Sequence, residues 1–156
     1  MRYCYNCFQS MADGAAVCPS CGYKASAQTD KYPMALPPGT VLNGRYILGR
    51  VLGQGGFGIT YVAQDHKTGS LVAVKEYFPD TMAARTGGPS VSAYTGQREE
   101  NFLYGKECFL NEAKTLAEFI GNPNIVRVHS YFEENNTAYF VMDYVQGTSL
   151  QDYLKQ

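Results

Sequence analysis

Residues 52–75 read LGQGGFGITYVAQDHKTGSLVAVK, a glycine-rich turn between two strand-like runs, the second of which ends in a lysine. Gly53, Gly55 and Gly58 let a backbone approach phosphate oxygens with no side chain in the way. Residues 59–63 and 71–74 are strand material, and Lys75 can then meet the phosphates as a point charge. A dinucleotide-binding unit would need a helix straight after the glycines, whereas ITYVA is a strand. A Walker loop would need Gly-Lys followed by Ser or Thr, and no such triplet occurs. The stretch therefore predicts a grip for a nucleoside triphosphate on an antiparallel sheet.

Working outward, residues 46–52 form a further strand, and 66–69 make the reversing turn before the lysine strand, which gives a three-stranded meander. Residues 79–105 are rich in Gly, Ser, Thr and Ala without a period and are expected to be a mobile, irregular insertion. From Lys106 a helix is expected, because Phe109, Ala113, Leu116, Ala117 and Ile120 repeat along one face. Gly121 and Pro123 end it. Strand-like runs at 125–132 and 137–144 flank the polar turn EENN, and SLQDYLKQ after Gly147 starts a short helix. The fold class is α+β, with a five-stranded antiparallel sheet and one main helix over 43–156. Residues 25–42, with Pro33, Pro37 and Pro38, read as a linker.

Composition narrows the function. The chain has 156 residues, 45% of them hydrophobic, and a net charge of -1, enough for one modest core and a small appendage. No apolar run approaches the roughly 20 residues that span a bilayer, and the N-terminus has no signal-peptide hydrophobic region. A cytoplasmic protein without a membrane segment is expected. Without Lys/Arg clusters there is no footprint for a nucleic acid partner.

Cys4, Cys7, Cys18 and Cys21 form two CxxC pairs, the spacing of a closed four-sulfur zinc site. A disulfide framework would need an oxidising compartment, and a thioredoxin-like motif would need a strand-helix-strand unit that 1–24 cannot supply. Residues 1–24 are thus read as a zinc ribbon whose folding energy comes mostly from the metal. Pro19 and Gly22 shape the second knuckle, CPSCG; the first, CYNCF, lacks that glycine and is expected to be less regular. Cys108 is expected to be a half-buried core residue.

The order of these parts, GQGGFG before VAVK, then a helix and two strands, resembles the N-terminal lobe of protein kinases, and LGQGGFGITY and KEYFP look like bacterial serine/threonine kinases. The resemblance covers about Tyr46 to the end and implies ATP with magnesium as ligand and a protein as substrate. It implies that Gly53, Gly55, Gly56, Phe57 and Gly58 cover the phosphates, and that Lys75 contacts them and pairs with a helix glutamate. Glu112 in FLNEA is the best candidate for that partner. It further implies that Leu52, Thr60 and Ala73 line the adenine slot, with Met142 behind it, and that Asp143 to Val145 offer backbone groups to the base. Thr60 departs from the valine more usual there.

The same family needs a catalytic aspartate, an asparagine and a magnesium-binding aspartate on HRD and DFG motifs, and neither triplet occurs in this sequence. This polypeptide alone is therefore expected not to transfer phosphate, and to be a piece of a kinase truncated at the start of its second lobe. The alternative is a non-catalytic nucleotide-binding or zinc-ribbon adaptor protein.

Overall fold

Strand-forming side chains with short turn signals between them build one curled sheet. The computed structural model describes residues 2–24, 31–85, 88–118 and 127–144. Its main sheet takes β3 (Val41–Leu42), β4 (Tyr46–Gln54), β5 (Gly58–Asp65), β6 (Leu71–Tyr77), β9 (Val128–Glu134) and β10 (Thr137–Asp143) in the order β3-β4-β5-β6-β10-β9, antiparallel throughout. The five expected strands are present, and the two-residue β3 adds a sixth at the edge. Gly69, at φ 77, closes the β5–β6 turn. Asn135 and Asn136, at φ 54 and 60, give β9–β10 the two-residue left-handed turn that matches strand twist.

The insertion differs from expectation. Its described residues, 79–85 and 88–105, hold regular elements: β7 (Ala83–Arg85) pairs with β8 (Val91–Ala93), and helix α1 (Gln97–Ala117) begins well before Lys106. The reason is Phe102, which is 1% exposed and extends the buried face of Phe109 and Ala113 two turns upstream. Gly105 lies inside the helix because Tyr77 occupies the place of its side chain; an added Cβ would meet the Tyr77 hydroxyl at 2.2 Å. That hydroxyl donates to the Phe102 carbonyl at 3.0 Å. Ile120, Gly121, Pro123 and the helix expected after Gly147 lie outside the described residues.

The two faces of the sheet carry different chemistry. On one, Tyr77, Phe102, Phe109 and Phe140 stack α1 onto the strands, with ring centroids 4.9 to 5.6 Å apart. On the other, Glu76 is fully buried and accepts from Tyr61 at 3.0 Å, Tyr139 at 2.6 Å and Arg85 at 2.5 Å. Burial raises the Glu76 carboxyl pKa, and Arg85 opposes the rise. Arg85 also donates to the Met34 carbonyl, and the Leu36 amide donates to the Tyr61 hydroxyl at 2.9 Å. Part of the Pro-rich segment thus lies packed on the sheet, with Leu36 only 2% exposed.

In the N-terminal ribbon, β1 (Arg2–Tyr3) pairs with β2 (Ser10–Met11). Its two knuckles close alike. Phe8 and Gly22 donate to the Cys4 and Cys18 carbonyls at 2.7 and 2.9 Å, and both residues have positive φ, 59° and 79°. The first knuckle is therefore as regular as the second. Phe8 bears a left-handed cost of about 1–2 kcal/mol, offset by burial of its ring, which is 5% exposed.

Candidate functional site

Register gathers the expected nucleotide residues on the α1 face. Gly53, Thr60, Lys75 and Phe140 are successive cross-strand partners, and Val62, Ala73 and Met142 form the neighbouring row. Leu52 sits in the irregularity of β4 just before Gly53. Phe140, missed by sequence reading, sets its ring 5.8 Å from the Lys75 ammonium; counting register from VAVK to YFVMD would have found it.

The glycines of the β4–β5 turn divide into two kinds. Gly58 is required by the fold itself, since a Cβ there would lie 2.6 Å from the Glu76 carbonyl oxygen. Gly53, Gly55 and Gly56 have open space where a Cβ would stand, and none has positive φ. Phe57, at the tip, is 70% exposed. The tip is tied to the end of the lysine strand by Phe78 N–H to the Phe57 carbonyl at 3.0 Å and Asp80 N–H to the Gly56 carbonyl at 3.3 Å.

Beside this turn, Phe57, Lys75, Tyr77, Cys108, Phe109 and Glu112 help line a cavity of about 570 Å³ between the sheet and α1. Lys75 and Glu112 thus share one cavity, but among the described residues no carboxylate lies within ion-pair distance of Lys75. Glu112 itself is exposed. Cys108 is exposed as well, not a half-buried core residue, because it sits on the cavity side of Phe109. Leu52, Thr60, Ala73 and Met142 belong to the same face but do not line this cavity. The Asp143 amide is held by the Arg127 carbonyl at 3.0 Å, and its carboxylate meets His129 at 2.7 Å. Val145 lies outside the described residues.

The second site is the ribbon. The sulfurs of Cys4, Cys7, Cys18 and Cys21 all lie within 4.8 Å of one another, and none of the four is in a disulfide. Cys4–Cys21 and Cys7–Cys18 are each separated by 3.7 Å. Zinc–sulfur bonds of about 2.3 Å in a tetrahedron put sulfurs about 3.8 Å apart, so the cluster fits such an ion. Burial drives the Cys7 thiol up to about 12. Burial also opposes ionisation of Cys18, yet backbone N–H groups of Cys21 and Ser20, with Cys4 and Cys7, bring it down to about 6. No helix among the described residues is long and apolar enough to cross a membrane.

Known proteins are similar to this chain in sequence and fold. Serine/threonine-protein kinase B of Synechocystis sp. is 31% identical over 140 residues, 88% of this chain and 22% of that protein. That span exceeds residues 46–156, so the similarity reaches into the residues before 46. Serine/threonine-protein kinase PknD of Chlamydia trachomatis is 35% identical over 111 residues, 71% of this chain and 10% of that protein. The chain thus spans about a fifth or less of the length of these relatives. Among solved structures, the PpkA-294 apo form superposes with TM-score 0.74 at 34% identity, covering 79% of this chain and 43% of that one. The Mycobacterium tuberculosis PknI kinase domain shares the fold, with TM-score 0.56 and 24% identity. With the protein kinase domain model matching residues 46–156 as well, this chain belongs to the protein kinase family.

Proposed function

We propose that this chain is the ATP-binding lobe of a serine/threonine protein kinase, carrying one structural zinc ion on Cys4, Cys7, Cys18 and Cys21. The glycine turn carries the nucleotide reading. Gly53, Gly55 and Gly56 answer neither a left-handed backbone nor a neighbouring atom, so their missing side chains make room for something outside the fold. Phosphate oxygens fit that room, with Lys75 in the same cross-strand row to meet their charge. Leu52, Thr60, Ala73 and Met142 would take the adenine ring, the backbone of Asp143 to Val145 its edge, and the phosphates would hold magnesium. Glu112 would pair with Lys75 on closure of the shared cavity.

The sequence contains neither HRD nor DFG, so transfer to a protein hydroxyl requires groups that a longer chain would add. Calorimetry with a magnesium-bound, non-hydrolysable ATP analogue tests the reading. One site is expected, weakened about tenfold or more in Lys75→Ala. No binding, or binding indifferent to that change, overturns it. Metal analysis should find one zinc per chain and none in Cys4→Ser; soluble, reduced protein free of zinc overturns the metal assignment.

A further inference from the structure

The ribbon is fastened to the strand that leads into the glycine turn. In the β4–β5 ladder Leu48 faces Ala63 and Val51 faces Tyr61, so Gly49 and Arg50 together oppose Val62 in a bulge. The first knuckle fills this bulge. The Arg50 amide donates to the Tyr5 carbonyl at 2.7 Å. At Gly49 there is no room for a side chain, because a Cβ would stand 2.2 Å from that same carbonyl oxygen and 3.0 Å from the Phe8 ring.

One side chain joins the sulfurs to the strand. The Asn6 amide nitrogen donates to Cys21 Sγ at 3.4 Å, its backbone N–H donates to Cys4 Sγ at 3.4 Å, and its carbonyl oxygen accepts from Arg50 Nε. N–H groups aimed at sulfur stabilise thiolate, the form that holds a metal. The other end of the same amide orients Arg50, three residues before Gly53.

We propose that Asn6 is a positioning residue that couples metal binding at the four cysteines to nucleotide binding at the glycine turn. The inference rests on both readings above. An ordered sulfur cluster fixes Asn6, Asn6 and Tyr5 fix the bulge, and the bulge sets the strand from which the turn projects. The coupling is reciprocal, so nucleotide must tighten metal binding by the same factor by which metal tightens nucleotide binding.

The test measures zinc affinity by equilibrium competition with a chromogenic chelator, with and without the ATP analogue, alongside analogue affinity before and after zinc removal. Zinc affinity of the wild type should be about fivefold higher with nucleotide, and analogue affinity should fall about fivefold on zinc removal. In Asn6→Ala both ratios should approach one. A merely structural role would shift melting temperature without moving these ratios. Gly49→Ala keeps Asn6 and every cysteine while pushing Tyr5 off the strand, and it should also bring the ratios to one, even where Asn6→Ala binds no zinc. Wild-type protein lacking zinc or failing to bind the analogue overturns the underlying reading and the coupling with it. Wild-type protein that binds both with ratios of one, or Asn6→Ala and Gly49→Ala variants that keep the wild-type ratios, overturns the coupling alone.

Discussion

The ribbon and the kinase lobe hold their shapes by different means. The ribbon's cluster of buried apolar residues is Cys4, Met11 and Cys18, two of them metal-ligand candidates, whereas the lobe has a continuous core from Leu36 to Val141. A segment of the ribbon's size cannot stabilise itself by burial, and the proposed zinc ion would supply what a core would. The lobe needs no such help. Two strategies sit side by side in one chain, joined through Tyr5, Asn6, Gly49 and Arg50.

Chelation separates the two most sharply. Removing zinc should withdraw on the order of 10 kcal/mol from the ribbon. Hydrogen exchange should then lose protection across 2–24 while β4, β5, β6, α1, β9 and β10 keep it; simultaneous loss in both would mean the lobe has no independent core. The reverse perturbation is Glu76→Ala, which strands Arg85, whose side chain is 7% exposed. A cost of about 3–5 kcal/mol is expected from leaving a buried charge unpaired. Thermal unfolding of the lobe should register it, with zinc content unchanged.

Gly105→Ala places a methyl group against the Tyr77 hydroxyl and should cost about 2 kcal/mol in denaturant unfolding. An unchanged midpoint would show that α1 and β6 shift freely. The smallest effect is expected at Asp65, held by Arg45 through two bonds of 2.8 and 2.7 Å. The Arg45 guanidinium keeps the Asp65 carboxyl below the usual carboxylate range, so its contribution is present above the unfolded value near 4 and fades as pH falls below it. With Arg45 partly exposed, about 1 kcal/mol is expected. Asp65→Asn should remove that part of the acid sensitivity, read as a flatter dependence of lobe stability on pH between about 4 and 2.

The signals that sequence carries well are local ones. Strand composition and the Asn-Asn turn placed β4, β5, β6, β9 and β10, and CxxC spacing brought four sulfurs together. Once those strands were paired, Gly53, Thr60 and Lys75 fell into one row by register alone. What escaped depends on contacts distant in the chain. The start of α1 was hidden because Gly105 looks like a helix breaker until Tyr77 is placed against it. The left-handed turn at Phe8 has no propensity signal, since the knuckle geometry imposes it. Nothing near Arg85 in sequence announces that its counter-charge is Glu76, and nothing near Asn6 announces Arg50.

The β7–β8 hairpin has a consequence for anyone who would trim or transplant it. Val91 N–H donates to the Asn135 carbonyl and Asn136 to the Val91 carbonyl, both at 2.8 Å, so the hairpin is clasped to the β9–β10 turn while its Arg85 reaches Glu76. It behaves as a stopper carrying its own counter-ion. Excising it uncorks a carboxylate in the sheet interior, and grafting it into a relative lacking an acid next to the β6 lysine would bury a guanidinium with nothing to neutralise it. Hairpin and acid are therefore expected to be exchanged as a unit.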